Sequence, residues 1–187
     1  MDLWKYYDGD LKYPDLIKHT EEKEIAKTSP KWAYEYAQIN GKSEELEPAI
    51  AKDAKYSYRY ADYILNRKPF KLGEPAIAKD AKYSYRYAVY ILNHKPFKLG
   101  EPAIAKDAFY AIRYAQNILK GPFKLGEPAI AEHTDYAYDY ANDVLKGPFP
   151  LGEPAIAKDD FYANEYTQYI LEKDFYLDGK LICKYEG

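Results

Sequence analysis

One cysteine and three histidines are all that 187 residues offer of the side chains that most often hold transition metals. A lone Cys183 excludes an internal disulfide and a cysteine zinc cage, and suits a packing role in a reducing compartment. His19, His94 and His133 fall at non-equivalent positions without the His-Glu-x-x-His or Cys-His spacing of a metal site, so no metal is expected. There is no Gly-x-Gly-x-x-Gly and no Walker A loop; the glycines close loops, and no cofactor is expected. Charge of one sign is missing too. With 27 basic and 30 acidic side chains the net charge is -3, which gives neither the basic footprint of a nucleic-acid binder nor the acidity of a DNA mimic. No run approaches the roughly 18 apolar residues of a membrane span. The opening Met-Asp-Leu-Trp-Lys lacks the basic-then-apolar order of a signal peptide, so the expected setting is cytosolic.

What the chain has is tyrosine, 23 residues of it, and the tyrosines recur at fixed positions. Glu47-Pro48-Ala49-Ile50-Ala51-Lys52-Asp53 returns at Glu74, Glu101, Glu127 and Glu153, each followed by Pro-Ala-Ile-Ala. A degraded earlier copy runs from Glu22 through Trp32-Ala33-Tyr34-Glu35-Tyr36, which makes about six repeats. The shorter spacing of the later copies comes from the loop: Asn66-Arg67-Lys68-Pro69-Phe70 and Asn93-His94-Lys95-Pro96-Phe97 become Lys120-Gly121-Pro122-Phe123 and Lys146-Gly147-Pro148-Phe149. Loops absorb such length changes.

Within a repeat, the proline after each glutamate suits the first position of a short helix. Asp80 and its equivalents Ser29, Asp53, Asp107 and Asp159 suit the N-cap of a second, longer helix. His133 breaks that column, so the second helix there is expected to start at Thr134. The second helix runs about twelve residues, to Asn93 in its repeat, before a Pro-Phe loop stops it. On a helical wheel its apolar arc spans about 220°, too wide for a single neighbour and suited to a helix sandwiched between the repeats before and after. The small column Ala61, Ala88, Ala115, Ala141 permits close approach, and Thr167 ends it. Ser57 and Ser84 lie in another small column, which argues against a nucleophile. Leu3 to Tyr13 around Asp8-Gly9, and Phe175 to Cys183 around Asp178-Gly179, read as β-hairpins with type I′ turns. The expected fold is all-α: a right-handed α-solenoid of about six two-helix repeats (residues 22–172) with hairpin caps at residues 1–21 and 173–187.

Gly-Glu-Pro-Ala-Ile-Ala-Lys-Asp, followed by Tyr-(Ser/Ala)-Tyr-Arg-Tyr-Ala and a Pro-Phe loop, resembles the short α-helical tandem repeats of tailed bacteriophages and other large viruses. Phe175-Tyr-Leu-Asp-Gly-Lys-Leu181 is similar to a hairpin repeat of the same genomes. The resemblance covers about residues 22 to 172 and implies a viral origin and the cytoplasm of an infected host cell. It implies no activity and carries over no catalytic residue.

Two kinds of column then carry the functional reading. Glu47, Glu74, Glu101, Glu127 and Glu153 hold repeat to repeat by accepting from a tyrosine hydroxyl or a backbone amide, or else bind cations or basic peptides. Tyr60, Tyr87, Tyr114, Tyr140 and Tyr166, like Tyr56, Tyr83, Tyr110, Tyr136 and Tyr162, fill space between helices with the hydroxyl at the wet edge, or else form an exposed ladder for a long partner. Tyr58, Tyr85 and Tyr138 with Arg59, Arg86 and Arg113 are the candidate binding residues. The expected function is a non-enzymatic, host-protein-binding module, for instance a counter-defence inhibitor. The rival readings are a homo-oligomer assembled through the terminal hairpins and a sponge for small nucleotides.

Overall fold

The computed structural model describes residues 20–187, and the hairpin expected around Asp8-Gly9 lies outside them. The first described helix, α1 (Thr20–Ala26), already begins inside the segment assigned to an N-terminal cap. Two compact units follow each other along the chain, one ending at Ile77 and one beginning at Ala78.

The first unit contains α1, α2 (Pro30–Asn40), α3 (Glu47–Ile50), α4 (Ala54–Arg59) and α5 (Glu74–Ile77). The second holds α6 (Ala81–Arg86), α7 (Glu101–Ile104), α8 (Ala108–Tyr114), α9 (Glu127–Ala131), α10 (Thr134–Asp139), α11 (Glu153–Ile156) and α12 (Asp160–Tyr166). It closes on a two-stranded hairpin, β1 (Phe175–Leu177) and β2 (Lys180–Cys183). Short and longer helices thus alternate as the repeat predicts. The turn residues Asp178 and Gly179 have φ of 49° and 77°, which is the left-handed pair that Asp-Gly supplies.

Local chemistry sets each boundary. Asp53, Asp80 and Asp107 accept the backbone N–H three residues on at 3.0, 2.9 and 3.1 Å, satisfying amides that have no partner inside the helix. Asp159 caps both Phe161 and Tyr162. Ser29 stands at the start of α2 but makes no such bond. His133 makes none either, and α10 begins at Thr134 as expected, its hydroxyl donating to the Ala155 carbonyl at 3.0 Å.

Most of the longer helices are not α-helical to their ends. The helix α2 stays α-helical to Asn40, but each later one passes into a π-helical stretch, at Tyr60–Ile64, Tyr87–Ile91, Ala115–Leu119, Tyr140–Leu145 and Thr167–Leu171. The wider turn shows directly where the Leu65, Leu92 and Glu172 amides donate five residues back, to Tyr60, Tyr87 and Thr167, at 2.9, 2.9 and 3.0 Å. Since π-helix accounts for well under about 1% of residues generally, five copies in one column are a property of the repeat.

Whereas α2 stops at Gly41 with φ 82°, the later helices stop through left-handed residues that are not glycine. Asn66 and Arg67, and Asn93 and His94, both adopt positive φ in the longer repeats, whereas Lys120, Lys146 and Glu172 do so alone in the shorter ones. The residue lost between repeat lengths is therefore one of two left-handed positions. Gly73, Gly100, Gly126 and Gly152 serve a different end. A Cβ on Gly126 would lie 2.6 Å from the Phe123 ring and 2.9 Å from Ala111 Cβ, so this glycine allows close contact with the small column that also contains Ser57, Ser84 and Ala137.

The core of each repeat is built from one isoleucine of the short helix, one tyrosine, one alanine and one loop phenylalanine. Ile50, Ile77, Ile104, Ile130 and Ile156 are fully buried, as are Tyr60, Tyr87, Tyr114, Tyr140 and Tyr166. Phe70, Phe97, Phe123 and Phe149 are 3 to 4% exposed. Burying one such ring contributes roughly 2 to 3 kcal/mol. Phe175, the first residue of the hairpin, continues the phenylalanine column at 1% exposure, so the hairpin seals the last repeat by supplying the side chain that a further loop would have supplied.

Candidate functional site

The most regular polar feature joins the glutamate and buried-tyrosine columns. Tyr60, Tyr114, Tyr140 and Tyr166 donate their hydroxyls to Glu47, Glu101, Glu127 and Glu153, thirteen residues earlier, at 2.9 to 3.0 Å. The same oxygens accept a backbone N–H from the preceding loop, from Phe97 to Tyr114 at 2.9 Å, Phe123 to Tyr140 at 2.8 Å and Phe149 to Tyr166 at 2.7 Å. Each ring packs on the following loop's phenylalanine, with centroids 4.9 Å apart for Tyr60 and Phe70, 5.2 Å for Tyr114 and Phe123, 5.0 Å for Tyr140 and Phe149 and 5.4 Å for Tyr166 and Phe175. One tyrosine thus ties the loop before it, the short helix of its own repeat and the loop after it.

The sequence places these hydroxyls at the wet edge of the stack; the structure buries them, because a hydroxyl with both a carboxylate and an amide for partners needs no water. Burial drives all four phenols well above their ordinary pKa of 10.0, and the neighbouring glutamate charge adds to it. They stay protonated and remain donors. On the outer side of the carboxylates, Lys71, Lys98 and Lys124 approach Glu74, Glu101 and Glu127 at 3.0 Å. Those lysines are largely exposed, so each pair contributes only about 0 to 1 kcal/mol.

Among the six candidate binding residues, Tyr58 is 2% exposed and donates to Asp62 at 2.9 Å; its ring belongs to the core. Tyr85 and Tyr138 are half-buried and pack on Tyr110 and Tyr162 of the next repeat at centroid distances of 5.8 and 5.5 Å. Tyr34 and Tyr56 repeat this pairing at 5.7 Å. The Tyr56 column is thus engaged from repeat to repeat and is not an exposed ladder. Arg59 and Arg113 are exposed, Arg86 is half-buried, and the Arg113 guanidinium lies 4.2 Å from the Phe109 ring centre. The structure brings the arginines to the outer face of their helices and takes Tyr58 away from it.

A second row was not singled out from sequence although its signal, the recurring Lys-Leu-Gly, is plain. Leu72, Leu99, Leu125 and Leu151 are 52 to 55% exposed, two residues from phenylalanines that are almost fully buried. Pro75, Pro102, Pro128 and Pro154 lie exposed three residues after them.

Clefts run between neighbouring repeats of the second unit. One of about 640 Å³ is lined by Lys79, Lys82 and Lys106 with Asp80 and Asp107; both carboxylates are occupied as helix caps, and no aromatic ring lines it. Another, of similar volume, lies between the last repeat and the hairpin, beside Pro148, Glu153 and Phe175. Among the described residues no group of three His, Cys, Asp or Glu side chains is placed to hold a metal, and no helix is long and apolar enough to cross a membrane. Comparison of the chain with protein-family models, curated proteins and solved structures finds no match.

Proposed function

We propose that this chain is a non-enzymatic protein-binding repeat module, of viral origin, that acts on a protein of the infected host cell in its cytoplasm, as a counter-defence inhibitor would. A right-handed solenoid of about six repeats is part of this reading. The observation that carries it is the leucine row: in the second unit Leu99, Leu125 and Leu151 are each more than half exposed at one position of the repeat. Scattered apolar side chains on a surface need no explanation, but regular repetition of one beside exposed prolines makes a contiguous apolar strip. At a helix spacing of 8–10 Å, about the usual packing distance, the strip fits a partner segment in a polyproline II conformation. Such a segment repeats one face every third residue, about every 9 Å.

The test is affinity capture from bacterial host lysate with tagged wild type and a Leu99→Ser, Leu125→Ser, Leu151→Ser variant, circular dichroism having shown both to be folded. A partner held by the wild type and lost by the variant supports the reading. Equal retention by both, or no partner for a folded bait, sinks it.

A further inference from the structure

The outward face of the longer helices in the second unit changes sign from one end to the other. Reading three outward positions, four residues apart, α6 and its π-helical extension carry Lys82, Arg86 and Tyr90; α8 carries Phe109, Arg113 and Asn117; α10 carries Asp135, Asp139 and Asp143; α12 carries Phe161, Glu165 and Tyr169. The helices pack side by side in that order. Within α6 and α8 these positions share one face, since Arg86 reaches over Tyr90 and Arg113 over Phe109, and beside it Gln116 donates to Asp143 of the next repeat at 3.3 Å.

Two properties of this face are unusual for a free surface. Tyr90, Phe109, Phe161 and Tyr169 are 47, 39, 65 and 69% exposed. Lys82, Arg113, Asp135, Asp139, Asp143 and Glu165 make no ion pair among the described residues. The three aspartates of α10 instead sit together on one stripe, and burial, then Asp143 and Asp135, push the Asp139 carboxyl above its ordinary range.

We propose that this face is the interface of a homodimer in which the second copy runs its repeats in the reverse order, with the two-fold axis lying along and between α8 and α10, so that Arg113 of each copy meets the Asp135-Asp139-Asp143 stripe of the other and Arg86 meets Glu165. The basic pair of helices and the acidic pair are equal in number and adjacent, which makes the face complementary to itself only when the second copy is reversed. The aromatics are then covered too, Tyr90 of one copy against Tyr169 of the other and Phe161 beneath the Lys82 side chain. A parallel pairing in register would set like charges opposite. A parallel pairing offset by two repeats would leave half of each face unpaired and would not close. Four helices about 9 to 10 Å apart and about 16 Å long present about 600 Å². Two such faces bury about 1,200 Å², the lower end of a specific interface, so the dimer is a salt-sensitive one of micromolar strength.

The helix column itself supplies tolerated substitutions, because it holds arginine at Arg113 and carboxylates at Asp139 and Glu165. Arg113→Glu puts carboxylate opposite carboxylate at the centre of the face, and Asp139→Arg puts guanidinium opposite guanidinium there, between Asp135 and Asp143. In sedimentation velocity at low salt, wild type is expected to dimerise, with at least a tenfold weakening at high salt. Each variant alone is expected to remain monomeric, and an equimolar mixture to form a heterodimer, since both central contacts are then complementary again. Circular dichroism checks each fold, and Arg113→Gln, expected to weaken dimerisation about tenfold, replaces any charge-reversed variant that does not fold. A wild type that stays monomeric at sub-millimolar concentration overturns the proposal. So does a dimer that both variants leave intact, as assembly through the hairpin would give, or a mixture that stays monomeric.

Discussion

Replacing Tyr140 by phenylalanine removes one oxygen atom and leaves the ring on Phe149 undisturbed. That oxygen donates to Glu127 at 2.9 Å and accepts the Phe123 amide at 2.8 Å, inside a residue with no exposed surface. A hydrogen bond to a charged group contributes about 1.5 to 3 kcal/mol, and a buried amide left without a partner costs about 1 to 3 kcal/mol. The two losses overlap, since Glu127 keeps Lys124 at 3.0 Å and water can reach its outer side. The expected cost is about 3 kcal/mol. In urea unfolding with a slope of about 2 kcal/mol per molar, the midpoint falls by about 1.5 M. Tyr136→Phe is the control. Its ring is half-buried in the other tyrosine column, and its loss is expected to stay within about 0.5 kcal/mol. If Tyr140→Phe costs no more than Tyr136→Phe, the hydroxyl is not the connector described above.

Alkali is expected to unfold the protein sharply. The folded state keeps Tyr60, Tyr114, Tyr140 and Tyr166 protonated above the ordinary pKa of 10.0, whereas the unfolded chain releases those protons there. Stability is therefore independent of these groups below about pH 10 and falls above it, by about 5 kcal/mol per pH unit once four protons are involved; tyrosinate absorbance followed together with circular dichroism should change in one step, and gradual ionisation of a still-folded chain would contradict this. At the left-handed Lys146 (φ 55°), asparagine, which the longer repeats use in that column, should raise stability by about 0.5 kcal/mol and valine lower it by about 1 to 2, measured by thermal unfolding. Gly126→Ala drives a methyl into the Phe123 ring and Ala111 and should cost about 1 to 3 kcal/mol, while Gly147→Ala, where nothing lies within 4 Å, should be close to neutral by the same assay.

The two-helix repeat, its aspartate caps and the start of α10 at Thr134 were all legible, because Pro, Asp and Gly act locally and recur. The C-terminal hairpin was legible from Asp178-Gly179 for the same reason. The π-helical turns were not. A π turn inserts a single residue, and an apolar arc already about 220° wide absorbs the extra rotation without exposing a polar side chain. The glutamate-tyrosine bond could be anticipated as one of two readings, but the second partner of each hydroxyl could not. That partner is a backbone amide of a loop residue, Phe97, Phe123 or Phe149, and the pattern of side chains says nothing of it. Tyr58 was misplaced because a wheel sorts residues by angle and cannot tell a tyrosine that closes on Asp62 of its own helix from one that faces water. The leucine row went unread for a simpler reason: a leucine beside a buried phenylalanine looks like more core, and only the fold shows that the short loop can turn one of the two inward.

The buried tyrosines hold the fold and the exposed leucines are the proposed binding row, and one experiment separates the two roles. Titration of the captured partner against wild type, Tyr140→Phe and the Leu99, Leu125, Leu151 serine variant, at a temperature where all three are folded, reads affinity apart from stability. The expected result is unchanged affinity for Tyr140→Phe despite its lower unfolding midpoint, and a loss of about a hundredfold or more for the leucine variant at near-wild-type stability. Equal affinity of the leucine variant and wild type, or a large loss of affinity from Tyr140→Phe alone, would contradict it.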